Sequence, residues 1–431
     1  MKHVWEASRD AFDGSLHRSD PVADDGLATR GPTDADDLAS SRLRSHAARS
    51  WEESDEDERD DIGSAVVAPL TRVLVVTDAW HPQVNGVVRS LEGLAVAVRD
   101  FGARVRFITP GEFRTVPLPG YPEIRLALTT ASGIGRRIMA APFDHIHLAT
   151  EGPLGFAARR FCMKRNIRFT TSYHTNFPDY VAARTLIPKR WTYAALRRFH
   201  NAGLGVFVST GSLQARLEER GFDNVMRWSR GVDHDRFHVR REARRVDSAP
   251  VFLYVGRLAV EKNVTAFLGL DLPGTKVVVG DGPARARLEA AHPDARFLGM
   301  RFGDDLARIY ADADVFVFPS LSDTFGMVLL EAMASGLPIA AYPVPGPLDV
   351  VGDSGAGVMD VDLGRACRRA LEIPRWKPAM RSEGFSWRES ARQFLDNLKK
   401  AEAPARPVCF DTRVDAAIPG RASPARMRRE I

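Results

Sequence analysis

The run Arg72-Val73-Leu74-Val75-Val76-Thr77, followed after a helix-like stretch from Val87 to Phe101 by Arg104-Val105-Arg106-Phe107-Ile108, decides the fold. Apolar runs without polar alternation are what strands buried on both faces require, and strand, helix, strand at this spacing predicts a βαβ unit. Outward from it the alternation continues through Ile146-His147-Leu148, Phe169-Thr170-Thr171-Ser172 and Gly205-Val206-Phe207-Val208-Ser209, each followed by a helical pattern. These runs predict one doubly wound α/β domain over 69–233. A polar linker over 234–249 carries Arg236, Arg240, Arg241, Arg244 and Arg245. The pattern restarts with Val251-Phe252-Leu253-Tyr254-Val255, Lys276-Val277-Val278-Val279, Val315-Phe316-Val317-Phe318 and Pro338-Ile339-Ala340. A second domain of the same class is expected over 250–374, a closing helix around Trp387 to Leu398 within 375–400, and a flexible tail over 401–431. The expected fold class is α/β, two doubly wound Rossmann-like domains facing a central cleft.

The first 68 residues hold 17 acidic against 8 basic side chains, a net of −9, and the rest of the chain holds 52 basic against 38 acidic, a net of +14. The run Glu52-Glu53-Ser54-Asp55-Glu56-Asp57-Glu58 would repel itself if packed, so 1–68 is expected to be a disordered acidic extension or the product of a misassigned start codon. A body this basic suits phosphorylated ligands or an anionic membrane surface. No run of about 18 apolar residues spans a bilayer, and the start lacks the apolar stretch of a secretory signal. A cytoplasmic protein is expected. Cys162, Cys367 and Cys409 are odd in number and far apart, which supports neither a disulfide framework nor a zinc site.

Tandem doubly wound domains set the carboxyl ends of two parallel sheets against one crevice, so site residues belong just after strands. The strongest constellation there is Pro319-Ser320-Leu321-Ser322-Asp323-Thr324-Phe325-Gly326-Met327-Val328-Leu329-Leu330-Glu331-Ala332. A helix expected to start near Phe325 offers the amides of Thr324, Phe325, Gly326, Met327 and Val328 as an anion site. Asp323 and Glu331 can bond hydroxyls of a sugar or ribose. Read alone, Asp323 serves equally as a helix N-cap and Glu331 as a buried helix polar.

This stretch resembles the retaining glycosyltransferases of family 4, whose GT-B fold is two facing Rossmann-like domains. Their motif sets two acids with seven residues between them around Phe-Gly; here it is Asp323-Thr-Phe-Gly-Met-Val-Leu-Leu-Glu331, with Asp where the family more often has Glu. The resemblance implies that Asp323 contacts the donor sugar, Glu331 the nucleotide ribose, and the amides of Phe325 to Val328 the sugar hydroxyls and diphosphate. Gly256-Arg257-Leu258-Ala259-Val260-Glu261-Lys262 looks like the family's diphosphate clamp, with Arg257 and Lys262 neutralising the leaving nucleotide. Gly280-Asp281-Gly282 matches the base-binding turn, where glycines permit close backbone approach. In the first domain, Asn85-Gly86 looks like the loop beneath the donor phosphate, expected to turn with positive φ, and His174 like the histidine that orients the sugar. Outside this context Arg257 and Lys262 read as solvated surface, Asn85-Gly86 as a plain βα turn, and His174 as structural.

The resemblance covers about 72–398 and implies a metal-independent hexosyltransferase, an alpha-mannosyltransferase among the options. It would move a sugar from GDP-mannose or a UDP-sugar to a lipid or glycan hydroxyl, with no cofactor beyond that donor. Asp312-Ala313-Asp314 precedes a strand instead of ending one, so it reads as a capped, solvated turn and not a metal motif; His145 and His147 lack a third ligand. No Gly-x-Gly-x-x-Gly follows either first strand, which counts against a nicotinamide oxidoreductase, and no nucleic-acid module is recognisable. The competing reading is a catalytically weak nucleotide-sugar-binding module. Cations and aromatics at helical spacing over 159–165 and 189–200 fit either an anionic membrane face or a helix whose aromatics face the core.

Overall fold

Strand β1, Thr71–Val76, sends Val73 and Val75 into one hydrophobic cluster and Leu74 and Val76 into another on the opposite face. Each is at most 2% exposed, and each such side chain contributes roughly 2 kcal/mol by leaving water. This two-sided burial is what the unbroken apolar run predicts. The computed structural model describes residues 70–402 apart from 84, 119–120, 175, 177, 179–187 and 241–248. The acidic extension, the tail from 403 with Cys409, and linker residues Arg241, Arg244 and Arg245 lie outside the described residues.

In the first lobe β1 is followed by β2 (Ala103–Ile108), a hairpin of β3 (Thr115–Leu118) and β4 (Tyr121–Ala127), and β5 (His145–Leu148), β6 (Thr170–Tyr173), β7 (Val206–Val208) and β8 (Val225–Arg227). The main sheet runs β2-β1-β5-β6-β7-β8, with every pair parallel. The second lobe contains β9 (Val251–Val255), β10 (Thr275–Val279), β11 (Arg296–Phe297), β12 (Val315–Phe318), β13 (Ile339–Ala341) and β14 (Gly357–Met359) in the order β11-β10-β9-β12-β13-β14, again all parallel. Alternation repeats there: Phe252 and Tyr254 enter one cluster, Leu253 and Val255 the other.

The segment 375–400 holds two helices. Trp376–Ser382 stays with the second lobe, whereas Trp387–Glu402 crosses back to the first, packing Ala391, Phe394, Leu395 and Leu398 beside Val73, Val75 and Leu91. Polar ties hold the crossing: Trp228 Nε1 donates to Ser390 Oγ at 3.1 Å and Asn397 Nδ2 to the Arg227 carbonyl at 2.7 Å. Cys162 and Cys367 are buried free thiols pushed up to about 12 by desolvation, and they fill space in the core.

Candidate functional site between the lobes

The second sheet changes direction of growth between β9 and β12, and ligands of such sheets bind where the chain leaves the carboxyl ends of the strands at that reversal. The loops leaving these strands are tied together. Lys262 Nζ lies 2.6 Å from Asp323 Oδ1, Asn263 Nδ2 donates to the Pro319 carbonyl at 3.2 Å, and Ser320 Oγ donates to the Glu261 carbonyl at 3.4 Å. The Lys262 and Asp323 side chains remain 27% and 23% exposed, open enough to meet a ligand. Buried Tyr254 donates its hydroxyl to the Arg257 carbonyl at 2.9 Å and so fixes the backbone of the other expected clamp residue.

The helix after the acidic turn is Met327–Ala334, starting two residues later than expected. Gly326 causes the delay: it takes φ 84° as the N-cap, where a Cβ would stand 3.1 Å from Phe318 Cζ. No side chain caps this helix. Asp323 is therefore an ion-pair partner and not a cap, and Phe325 is buried against Phe385. Gly280 and Gly282 do allow a close backbone approach, but to the chain itself. A Cβ on Gly280 would lie 1.9 Å from the Gly256 carbonyl oxygen, and one on Gly282 2.5 Å from that of Leu258.

From the first lobe, helix Gly86–Ala97 meets this region head on. The expected positive-φ turn at Asn85-Gly86 is absent: Asn85 is extended (φ −151°) and caps the helix, its Oδ1 accepting from Val87 N at 3.0 Å and Val88 N at 3.1 Å. Satisfying two helix amides from an extended residue outweighs the turn. Gly86 lets the two helix starts touch, since its missing Cβ would sit 3.5 Å from Met327 Cγ. One turn on, Arg89 forms an ion pair with Glu331, whose other oxygen accepts from the buried Tyr310 hydroxyl at 2.9 Å. Glu331 raises the Arg89 guanidinium above its ordinary range, and burial, with Glu331, lifts Tyr310 well above its own.

His174 closes the constellation. Its carbonyl accepts from Thr324 Oγ1 of the other lobe at 2.8 Å, its Nδ1 faces Arg230 Nη2 at 3.0 Å, and its Nε2 is buried with no partner among the described residues. Burial first, then the Arg230 charge, holds the imidazole well below its ordinary range. Elsewhere in the first lobe, Asp78 joins the loops after β1 and β5 by accepting from Leu154 N at 2.8 Å and the Thr150 hydroxyl at 2.9 Å; burial raises its carboxyl.

The structure thus brings Lys262, Asp323, Thr324, Met327, Glu331, Gly86 and His174 to the region where the two lobes meet. Arg89, Arg230, Tyr310 and Asp78 carry no motif and were not legible in the sequence. The set-aside features behave differently. His145 binds Glu402, His147 sits between the Thr170 and Ser172 hydroxyls, and Asp314, expected in a solvated turn, is 8% exposed and accepts from Val251 N at 2.8 Å.

Residues 84–236 match the family model for Glycosyltransferase Family 4, and 249–372 that for Glycosyl transferases group 1. The chain is 32% identical to a GDP-mannose-dependent alpha-mannosyltransferase of Mycobacterium tuberculosis over 315 residues, covering 67% of this chain and 83% of that protein. It is 29% identical to a sulfoquinovosyl transferase of Arabidopsis thaliana over 341 residues, covering 69% of this chain and 66% of that one. Among solved structures, sucrose-phosphate synthase from Thermosynechococcus elongatus shares the fold with a TM-score of 0.63 at 20% identity, over 77% of this chain and 98% of that one. Two facing Rossmann-like lobes, a lysine and carboxylate joined at the sheet reversal, and both halves of the family pattern in order have one explanation: the chain belongs to glycosyltransferase family 4 and is a glycosyltransferase of the GT-B fold.

Proposed function

We propose that the chain transfers a hexose, with retention of anomeric configuration, from GDP-mannose or a UDP-sugar to a hydroxyl of a membrane lipid or glycan. The observation that carries this reading is the Lys262–Asp323 pair of the second lobe, whose neighbour Thr324 donates its hydroxyl to the His174 carbonyl of the first. A departing nucleoside diphosphate gathers negative charge. Lys262, Arg257 and the uncapped amides at the start of helix Met327–Ala334 oppose that charge in fixed positions. Asp323 and His174 orient the sugar, Glu331 the ribose, and the turn at Gly280 and Gly282 the base. The acceptor hydroxyl attacks the anomeric carbon from the face the diphosphate leaves, and a leaving phosphate oxygen takes its proton. No side chain forms a covalent intermediate, and the paired cations take the place of a divalent ion.

The exposed face of helix Lys189–His200 supports an anionic membrane as the working surface, with Trp191 63% exposed beside Arg190 and Arg198 while Tyr193, Leu196 and Phe199 face inward. Among the described residues no helix is long and apolar enough to cross a membrane.

Thermal melting against a panel of GDP- and UDP-sugars, followed by donor hydrolysis without acceptor, tests the reading. One donor at 100 times its Kd should stabilise by about 2.7 kcal/mol and be hydrolysed slowly. Stabilisation without any turnover would assign the chain to the binding-module alternative, and no stabilisation by any nucleotide-sugar would refute both.

A further inference from the structure

Arg230 is a buried cation, 3% exposed, whose partners among the described residues are not carboxylates. Nη1 donates to the Trp228 carbonyl at 2.7 Å and the Ser229 carbonyl at 3.3 Å, the guanidinium carbon stands 4.0 Å over the Trp228 ring, and Nη2 lies 3.0 Å from His174 Nδ1. A guanidinium only donates, so His174 Nδ1 must accept. A neutral imidazole that accepts at Nδ1 carries its proton at Nε2, and that Nε2 is the buried nitrogen with no partner among the described residues. A buried donor left unmatched costs on the order of 1–3 kcal/mol, a cost that a ligand oxygen at the ring tip would remove.

We propose that Arg230 is a positioning residue for the transfer reaction. It holds His174 as the neutral Nε2–H tautomer and so presents one fixed hydrogen-bond donor to an oxygen of the bound nucleotide-sugar. The inference rests on the donor-binding reading of the gap and extends it to a residue outside every motif of the chain. The ring's surroundings fit the assignment. Trp228 packs edge-on to the imidazole with ring centres 5.9 Å apart, and Thr324, next to the Lys262–Asp323 pair, holds the His174 carbonyl from the facing lobe. Among the described residues the titratable groups around the ring are Arg230, His147 on β5 and His200 on helix Lys189–His200, with Glu151 engaged by His200 Nε2 at 3.0 Å. All three neighbours acting on the ring oppose a second proton there, as burial does. Among the described residues Arg230 contacts no carboxylate, which suits it to the neighbourhood of an anionic diphosphate.

The test is long-range proton–nitrogen NMR on the full chain labelled with nitrogen-15 histidine, the His174 signals being assigned by their loss in His174→Asn. The wild type should show an unprotonated Nδ1 and a protonated Nε2 at neutral pH. In Arg230→Gln the protonation midpoint of His174 should move up, because one opposing charge is gone. Transfer kcat/KM should fall about 10- to 100-fold, the span of one charge-assisted hydrogen bond, and Arg230→Lys should recover part of it. A wild-type proton on Nδ1 overturns the proposal, and this result is available even where Arg230→Gln does not fold. Unchanged midpoint and kcat/KM in a folded Arg230→Gln overturn it equally. A wild type that binds and turns over no nucleotide-sugar refutes the donor reading, while the ring's protonation state still decides the role of Arg230.

Discussion

Arg89 of the first lobe and Glu331 of the second form an ion pair across the gap, 242 positions apart in the chain. Glu331 is 8% exposed and Arg89 30%, so the pair is screened on one side only. Removing Arg89 leaves a nearly buried carboxylate with Tyr310 alone. Arg89→Met is therefore expected to destabilise by about 2 kcal/mol, less than a fully buried pair because Arg89 is partly solvated. The double variant Arg89→Met with Glu331→Gln should recover more than half of the loss, since no uncompensated charge remains. Thermal or denaturant melts measure both, and additive losses would show that the pair does not couple the lobes.

Lys262 is about a quarter exposed, and in the proposed reaction its charge opposes the leaving group. Lys262→Ala should lower kcat about 100- to 1000-fold, the scale of one preorganised charge stabiliser, with a melting temperature close to that of the wild type. The same argument predicts that excess chelator leaves wild-type rates unchanged. Loss of activity with EDTA, restored by magnesium or manganese, would assign the charge neutralisation to a metal instead.

Gly280→Ala probes the turn after β10. With φ at +132° and a Cβ 1.9 Å from the Gly256 carbonyl oxygen, the substitution must displace the backbone that leads into Arg257. Steric conflict with backbone cannot relax by a rotamer change. A loss of several kcal/mol in stability, with weaker nucleotide binding in what remains folded, is the expected outcome. Gly102→Ala is the contrast: φ is +64° but nothing lies within 4 Å, so only the backbone preference, about 1 kcal/mol, should be lost.

The lobes were legible because buried parallel strands leave a local signal: Val251–Val255 and Val315–Phe318 have the bounds their apolar runs give. The β3–β4 hairpin was not, since Pro117 and Arg125 interrupt any apolar run. The register of the acidic turn was readable from Asp323 and Glu331, but the helix start was not. It depends on Gly326 avoiding Phe318 and Leu329, a tertiary contact. Asn85 was misassigned for a related reason: Asn suits both a turn and an N-cap, and only the helix that follows decides. Arg89 and Arg230 are single cations whose meaning comes from partners on other elements.

The paired helices Pro153–Arg165 and Lys189–His200 carry the prediction on membrane binding. They touch through Phe156 and Phe199, ring centres 4.9 Å apart, and through Arg159 Nη2, which donates to the Arg198 carbonyl at 2.7 Å. Their outer faces expose Phe156, Met163 and Trp191 among Lys164, Arg165, Arg190 and Arg198. Apolar side chains ringed by cations fit an interface whose headgroups are anionic, and each cation near such a surface contributes about 1 kcal/mol. Vesicles rich in phosphatidylglycerol should therefore bind the protein at low salt, and phosphatidylcholine vesicles should not. Raising ionic strength to 1 M, where the Debye length falls to about 3 Å, should release it. Replacing Arg190 and Arg198 by Ala should weaken binding roughly thirtyfold and leave donor hydrolysis in solution unchanged, because both lie on the face turned away from Tyr193 and Phe199. Equal binding to both vesicle types, or binding indifferent to salt, would rule out this surface as an electrostatic membrane contact.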